Sequence, residues 1–337
     1  MILLGIGIRN NGSGSRVTID GEKVNKKINF TEKQYLTTSK YETNTTIGAS
    51  DNIAVINNTT FAHTHYYNNG YGFNYLYINN YDKNTATITE IGIKQDTNHY
   101  AIASGYNNNM YQIKSHYVSS NSVYDLYEYK LNNDTEAENI ITETKLLEQS
   151  QWLKNLVQHN SDTLYLYSLG TNMEITKVNK KNNEKTVILS IANDFYHGAT
   201  DYLFSYKDKL YLIASRKNEE SKAQNVFEIN LKNNTITELF NIVESFNAKC
   251  NSIYSRLDRK KGKLIFYFIE TYALKQAEWD IESNEFSEVV TLYKNDNFLH
   301  LLEIAVEETD YFKVYLATKG KDLYKKIYSK TYLKEVM

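Results

Sequence analysis

Proline is absent from this chain of 337 residues, so its turns must be built from other residues. The sequence supplies 40 asparagines, together with glycine and aspartate, which tolerate positive φ or hydrogen-bond their own backbone. Tyrosine, with 30 residues, dominates the aromatic side chains and suits strands that have one face in water. The composition therefore favours a β protein with asparagine-rich turns.

Cysteine is nearly absent as well, because Cys250 is alone. Intramolecular disulfides are excluded, and the fold must close by packing and strand pairing. No segment approaches the roughly 20 apolar residues of a membrane helix, and we expect no membrane insertion. The net charge of -2 gives no basic patch, which argues against nucleic acid as a partner. The apolar segment 2–8 has no basic region before it and makes a poor signal peptide.

Motifs for catalysis and cofactor binding are also missing. The sequence has no GxSxG, HExxH, P-loop or GxGxxG, and its carboxylates are scattered without telling neighbours. His63 and His65 point to one side of a strand and could share a metal, but spacing identifies no third ligand, and an ordinary pair of strand histidines is favoured. We expect a protein that is not an enzyme and that has no catalytic residues, cofactor or metal.

A recurring hairpin organises the chain. In Val226 to Leu239, two alternating apolar and polar runs flank a polar turn, which is the pattern of two half-buried strands. The same pattern returns with turns near positions 82, 132, 181, 232, 283 and 329. A fixed period of roughly 50 residues marks solenoids, propellers or arrays.

Each unit from residue 51 onward holds two further strand-like runs before its hairpin. Four strands per unit is the number found in each blade of a β-propeller. Helix is a minor competitor, with a turn or two at Leu146–Val157 and Ile242–Lys249. The sequence therefore predicts an all-β, six-bladed propeller of four-stranded antiparallel blades over 51–337. The sixth blade is expected at Leu301–Val306, Tyr311–Ala317, Leu323–Ser329 and Tyr332–Met337.

Residues 1–50 do not fit the repeat. They form either an N-terminal β arm or a partial blade, and a seventh blade results if they complete one. An arm would associate with another subunit by strand addition. The residues expected to drive this assembly are the apolar ones at the start of the chain: Ile2, Leu3, Leu4, Ile6 and Ile8.

Two sets of residues are candidates for ligand binding. Four aromatic or imidazole side chains fall just before the first strand of four predicted blades and could form a ring at the mouth of the central channel, although a shared structural role would also explain them: His99, Trp152, His197 and His300. The second set lies in the segment 66–75, whose Tyr, Asn and Gly are typical of adaptable recognition loops that suit a glycan or a protein. Its candidates are Tyr66, Tyr67 and Tyr71, and an ordinary hairpin with strand tyrosines is the alternative.

The hairpins resemble those of kelch-type propellers, whose third and fourth strands read roughly Y-x-Y-D-x-x-x-N-x-W. Tyr81-Asp82-Lys83-Asn84-Thr85 and Trp279-Asp280-Ile281-Glu282-Ser283-Asn284 carry the signature, while the paired glycines of kelch repeats are missing. The composition and layout are also similar to those of tail and receptor-binding proteins of tailed bacteriophages.

These resemblances imply a binding or structural module of a bacteriophage virion, in the tail or an appendage, that mediates assembly and attachment to the host surface. Its partners would be other virion or scaffold subunits in an oligomeric assembly and a host surface glycan. The alternatives are a propeller hydrolase that acts on glycans and a cytoplasmic, kelch-like scaffold for protein–protein interaction.

Overall fold

A computed structural model of the protein describes residues 30–31, 53–67, 73–82, 87–95, 98–105, 108–119, 121–132, 141–149, 151–195, 201–217, 224–248, 250–270, 273–294, 303–319 and 322–330. Their regular structure is β-strand, apart from one short helix. Among these residues, no helix is long and apolar enough to span a membrane.

Five successive parts of the chain each fold into an antiparallel sheet, and we number these sheets blades 1 to 5. After β1 (Phe30–Thr31), blade 1 contains β2 (Ile53–Val55), β3 (Thr60–Tyr67), β4 (Phe73–Asp82) and β5 (Thr87–Gln95). Blade 2 contains β6 (Asn98–Ser104), β7 (Asn109–Val118), β8 (Asn121–Leu131) and β9 (Ile141–Gln149). Within each of these two blades every strand pairs with the next strand of the sequence.

Blades 3 to 5 repeat this arrangement. Blade 3 contains β10 (Trp152–Asn160), β11 (Thr163–Leu169), β12 (Asn172–Asn179) and β13 (Glu184–Ala192). Blade 4 contains β14 (Tyr202–Tyr206), β15 (Lys209–Ser215), β16 (Gln224–Asn230) and β17 (Thr235–Asn241), and is followed by the helix α1 (Ile242–Ser245). Blade 5 contains β18 (Ser252–Asp258), β19 (Lys263–Glu270), β20 (Ala273–Asp280), β21 (Glu285–Phe286) and β22 (Val290–Lys294). Because β21 and β22 pair with opposite ends of β20, they form one interrupted outer strand.

The sixth sheet is built from both ends of the chain. It contains β23 (Glu303–Glu308), β24 (Phe312–Lys319) and β25 (Asp322–Lys330), and its fourth, outermost strand is β1. Phe30 lies opposite Lys330, and Thr31 lies opposite Ser329.

The predicted count of six or seven blades is corrected here, because five blades are complete within the chain after residue 50 and the sixth sheet needs β1 from the N-terminal region. The chain after residue 50 completes five blades, and residue 329, where a turn is predicted, lies inside β25. The predicted last strand, Tyr332–Met337, falls outside the described residues, and no seventh sheet occurs among the residues that the structure describes. Propensity along the sequence could not show that the partner of β25 lies some 300 residues away.

The sheets close into a ring through their innermost strands. Strand β2 contacts β6, which contacts β10, and β10 contacts β14; on the other side, β18 contacts β23 and β23 contacts β2. Between β14 and β18, Arg259 donates from Nη1 to the carbonyl oxygen of Ser205 at 2.7 Å. The rings of Phe61 in β3 and Phe312 in β24 lie 5.3 Å apart and join the first blade to the sixth sheet.

The hydrophobic core lies between neighbouring blades. Alternate side chains of a strand point to opposite faces of its sheet. In β11, Leu164 and Leu166 therefore pack toward blade 2, whereas Tyr165 and Tyr167 pack toward blade 4. Similar clusters join blades 1 and 2 and blades 4 and 5. Burial on both faces explains why these middle strands are apolar almost throughout.

The turns between the third and fourth strands of blades 3, 4 and 5 share one conformation. Each contains an asparagine with φ of 56°, 56° and 58°: Asn183, Asn234 and Asn284. Each also opens on a side chain whose Oδ1 accepts the N–H two residues later, at 2.9, 2.9 and 3.0 Å: Asn179, Asn230 and Asp280. Asparagine thus performs the turn chemistry that the composition indicates.

Of the two segments that the sequence offers as possible helices, one is partly helical and the other is not. In the first segment, residues 146–149 end β9 and residues 152–157 begin β10, so these residues are extended and not helical. The second signal, Ile242–Lys249, includes the single helical turn of α1. The side chain of Asn241 caps this turn by accepting the N–H of Glu244 at 3.0 Å.

Candidate ligand site in the central channel

A cavity of about 600 Å³ occupies the channel between the innermost strands. The wall from blades 1 to 3 carries no charge and includes both apolar and polar residues: Ile53, Val55, Ile102, Leu156 and Val157 with Asn57, Asn58, Ser104, Asn155 and Gln158. The opposite wall is polar and charged and comes from β14, β18 and β23, with the turns that follow the latter two. The channel therefore has two chemically different sides.

Tyr254 and Arg256 of β18 line the cavity, on the face of the strand opposite to Ile253 and Leu257, which pack toward blade 4. Arg256 is buried, and its Nη2 donates to Oε2 of Glu308 in β23 at 3.0 Å. The same carboxylate lies 3.9 Å from Nζ of Lys313, a buried side chain of β24. Two cations therefore share Glu308, which satisfies the general rule that buried charges are paired.

Glu307 is the titratable group of this wall. Burial raises the pKa of its carboxyl to about 7, although Arg256 and a hydrogen bond from Tyr254 act in the opposite direction. Burial, followed by the charge of Glu307, also raises the pKa of Tyr202 to about 12. The carboxyl of Glu307 therefore changes its charge near neutral pH, while both tyrosines keep their protons.

The turn after β18 supplies three further cations, and each is engaged with a neighbour. Arg259 binds the carbonyl of Ser205, as described above. Nζ of Lys260 lies 2.6 Å from Asp310, and Nζ of Lys261 lies 3.2 Å from Asp258. These contacts tie the turn to blade 4 and to the sixth sheet and fix this side of the channel mouth.

Of the predicted ring residues, the structure describes the side chain of Trp152 alone. Trp152 begins β10, is half-buried against the core between blades 2 and 3, and has Nζ of Lys154 4.9 Å from the centre of its ring. It is not among the residues that line the cavity. His99 lies in β6, where its backbone alone is described, and His197 and His300 fall outside the described residues. Ligand binding by these four residues stays a prediction.

The other predicted residues belong to parts of the chain that the structure describes poorly or not at all. Tyr66 and Tyr67 end β3, with only their backbone described. Tyr71 and the predicted assembly residues fall outside the described residues: Ile2, Leu3, Leu4, Ile6 and Ile8. Their roles stay predictions too.

His63 has a structural environment. It is buried, its Nδ1 lies 3.0 Å from Nδ2 of Asn79, and its ring stacks on Tyr77 with centroids 5.0 Å apart. Its Nε2 lies 4.0 Å from a carboxylate oxygen of Glu90. These contacts suit the interpretation of an ordinary strand histidine.

One group of potential metal ligands was missed by sequence reasoning. His116, Asp125 and Glu148, on the outer strands of blade 2, place their ligand atoms within 4.8 Å of one another. However, Nζ of Lys145 lies 2.8 Å from Asp125 and 2.6 Å from Glu148. Because this ammonium already bridges the two carboxylates, the group is best described as an ion-pair network.

Sequence reasoning also missed the charged channel wall. In the sequence, Glu307 is one of many scattered carboxylates. The available signal was a charged residue inside the first, apolar strand of a unit, as in SIYSRLD and EIAVEE. Such a strand is innermost in a propeller, so its charges must face the channel or one another.

Comparisons with known proteins show the fold. No family model matches the chain, and no curated protein matches its sequence. Among solved structures, a sialidase from Trypanosoma rangeli is similar with a TM-score of 0.51 and 10% identity, over 96% of this chain and 56% of that one. The WD40 domain of Toxoplasma gondii coronin has a TM-score of 0.47 and 10% identity, over 90% of this chain and 85% of that one.

An oligogalacturonate lyase in complex with manganese has a TM-score of 0.44 and 10% identity, over 76% of this chain and 74% of that one. A shared fold does not by itself decide between catalysis and binding. At this identity the likeness carries no information on ligands. The chain is an all-β propeller of four-stranded antiparallel blades, and its closer resemblance to kelch proteins stays a prediction.

Proposed function

We propose that this protein is a binding module without catalytic activity and that it takes a small ligand into its central channel. The observation that carries the proposal is the cavity of about 600 Å³ with a charged wall on β18 and β23 opposite an uncharged wall. Pockets of roughly 300–1,000 Å³ with a few placed polar groups are typical of small-molecule sites.

The pairing of the channel carboxylates favours binding over hydrolysis. Glycosidases need an acid and a second carboxylate about 5–10 Å apart that are free to act on the substrate. Here Glu308, Asp258 and Asp310 each lie within 4 Å of a lysine or arginine. These ion pairs favour the charged, bound state of the three carboxylates over a role as a free nucleophile or base.

A second candidate function, a hydrolase, is favoured by one observation. The carboxyl of Glu307 has a pKa of about 7, which suits a general acid at neutral pH. Chromogenic 4-nitrophenyl glycosides, incubated with the protein between pH 5 and 8, test this candidate. Turnover by the wild type that disappears in Glu307→Gln would show that the protein is an enzyme and not a binding module.

The sequence also predicts more specific roles, which involve assembly with other subunits as well as ligand binding. A bacteriophage tail or appendage protein that attaches to the host surface has support from composition and layout alone, and stays a prediction. A role as a cytoplasmic, kelch-like scaffold also stays a prediction. Size-exclusion chromatography with light scattering tests the expected oligomer directly, and a monomer at micromolar concentration would count against the virion assignment.

Channel binding is tested with a variant that fills the cavity. Val55→Trp places an indole at a residue that lines the cavity, whereas Val187→Trp places one on the outer strand of blade 3, where Val187 is exposed. A panel of small carboxylates, amines and monosaccharides is screened by ligand-observed NMR. We expect at least one compound to bind the wild type and Val187→Trp but not Val55→Trp. The proposal fails if no compound binds, or if Val55→Trp binds as the wild type does.

A further inference from the structure

The outer edges of blades 2 to 5 are irregular. The outer strands β9, β13 and β17 each contain one residue more than the strand with which they pair, which makes a β-bulge: Leu146, Ile188 and Leu239. In blade 5 the outer edge is interrupted between β21 and β22. Bulges and short edge strands keep a sheet from pairing with another chain.

Blade 1 has a regular outer edge. Strand β5 pairs with β4 residue by residue from Thr87 to Gln95, without a register shift. No further strand pairs with β5 among the residues that the structure describes. Its nine residues span about 30 Å of extended chain. The strand therefore presents a long, straight row of backbone donors and acceptors, which is a template for strand addition.

The middle of β5 suits the approach of a second backbone. Ile91 and Ile93 pack against the core between blades 1 and 2 and hold this part of the strand on the blade. Gly92, between them, is exposed, and a Cβ at this position would lie 2.9 Å from Cε1 of Tyr77. Glycine inside a strand often marks a place where another backbone comes close.

A second copy of β5 is complementary to this edge in the antiparallel orientation. If two copies meet with Gly92 of each on a two-fold axis, residues at equal distances from Gly92 face each other. Glu90 of each copy then lies opposite Lys94 of the other, and Ile91 lies opposite Ile93. Opposite charges and apolar side chains that face each other in this way stabilise an antiparallel pair. A symmetric dimer needs this arrangement of charge around its axis, whereas the strand of a different protein does not.

We propose that two copies of this chain associate through β5, antiparallel and with Gly92 at the two-fold axis, so that the two copies of blade 1 join into one continuous sheet. The proposal goes beyond ligand binding and does not depend on it. Strand β5 is the outermost strand of its blade and lines no part of the cavity.

Sedimentation velocity over a range of protein concentrations measures this association. One pair of added strands buries less than the roughly 1,200 Å² of a stable interface, so the dissociation constant should be on the order of 1–100 µM. The dimer should therefore form as the concentration rises through this range.

Two charge reversals test the register of the strands. Lys94→Glu and Glu90→Lys each place two pairs of like charges across the axis, and each should raise the dissociation constant at least about tenfold. An equal mixture of the two variants should dimerise as the wild type does, because the cations of Glu90→Lys then face the carboxylates of Lys94→Glu. Lys232→Glu is the control, since it changes the net charge as Lys94→Glu does but lies exposed in the turn between β16 and β17.

Hydrogen exchange of the wild type provides a test without substitution. Glu90 also lies 4.0 Å from Nε2 of His63, so near-ultraviolet circular dichroism must show that Glu90→Lys is folded. If it is not, the comparison of β5 with the bulged edge strand β13 decides. Exchange of the amides in β5 should slow as the protein concentration rises, whereas exchange in β13 should stay constant.

The inference is overturned if the wild type stays monomeric, or if Lys94→Glu dimerises as strongly as the wild type. It is overturned equally if the folded variants stay monomeric when mixed, or if exchange in β5 does not depend on concentration. A dimer that is lost on removal of residues 1–20 and keeps its strength in Lys94→Glu would assign the interface to the N-terminal arm instead of β5.

Discussion

At the scale of single residues, the contacts between blades include buried ion pairs. Glu128 in β8 accepts from Nζ of Lys180 at 2.6 Å, from Asn109 at 2.8 Å and from the hydroxyl of Tyr111 at 3.0 Å. The side chains of Lys180 and Glu128 are 12% and 9% exposed. One carboxylate thus satisfies donors of blade 2 and a cation of blade 3.

Removal of this carboxylate should be costly. Glu128→Ala leaves a buried ammonium and two buried donors without their acceptor, and we expect it to lower the free energy of unfolding by about 3–5 kcal/mol. Lys181→Ala is the matched control, because Lys181 pairs with Asp162 at 2.7 Å on the surface, with 72% and 45% exposure. Its expected cost is about 0–1 kcal/mol. Urea unfolding measures both, and equal costs would contradict the prediction.

The raised pKa of Glu307 makes the stability depend on pH. The folded protein binds this proton more tightly than the unfolded chain, because the pKa is about 7 instead of 4.5. The resulting stabilisation is present below pH 4.5 and is lost as the pH rises through 7. Glu307→Gln lacks this titration, so the wild type should lose roughly 2–4 kcal/mol relative to the variant between pH 4.5 and 8. Urea unfolding at four pH values measures the difference, and a constant difference would refute the assignment.

At the scale of elements, turns and strands are explained by local chemistry. Period-two alternation places strand side chains on opposite faces, and asparagine with positive φ closes the repeated turns of blades 3 to 5. Because both signals lie within a few residues, the hairpins in blades 1 to 5 were predictable from the sequence.

The turn between β18 and β19 requires glycine at position 262. Gly262 has φ of +66°, and a Cβ at this position would lie 2.5 Å from the hydroxyl oxygen of Tyr206 in blade 4. Gly262→Ala should therefore lower the free energy of unfolding by about 1–3 kcal/mol, through the unfavourable φ and the displaced tyrosine.

The control for this turn is Asn234→Gly, which has a similar φ of 56° at the tip of the turn between β16 and β17. Glycine adopts that conformation without strain, so we expect a change of at most about 0.5 kcal/mol. Thermal melting compares the stability of the two variants. A neutral Gly262→Ala would show that the turn relaxes without moving Tyr206.

At the scale of the whole molecule, strand β1 brings the two ends of the chain into one sheet. This strand lies at the outer edge of the sixth sheet and pairs with β25. Without it, the edge of β25 exposes unpaired backbone groups, which favours fraying and aggregation.

Two deletions test this closure. Removal of residues 1–35 takes β1 away, and we expect a lower melting temperature and faster hydrogen exchange in β25. Removal of residues 1–20 leaves β1 in place and should preserve both. If the longer deletion melts as the wild type does, β1 does not contribute to closure. The shorter deletion also tests the predicted assembly role of the apolar N-terminal residues, through the oligomeric state.

The sequence by itself determined the class of the fold, the recurring hairpins and the asparagine turns, since each of these follows from neighbours along the chain. Tertiary structure alone decided that β1 completes the last sheet and that Arg256, Glu307 and Glu308 meet in the channel. The physical reason is that strand pairing between chain ends and burial of charge between sheets depend on contacts across 50 to 300 residues, which no local pattern encodes.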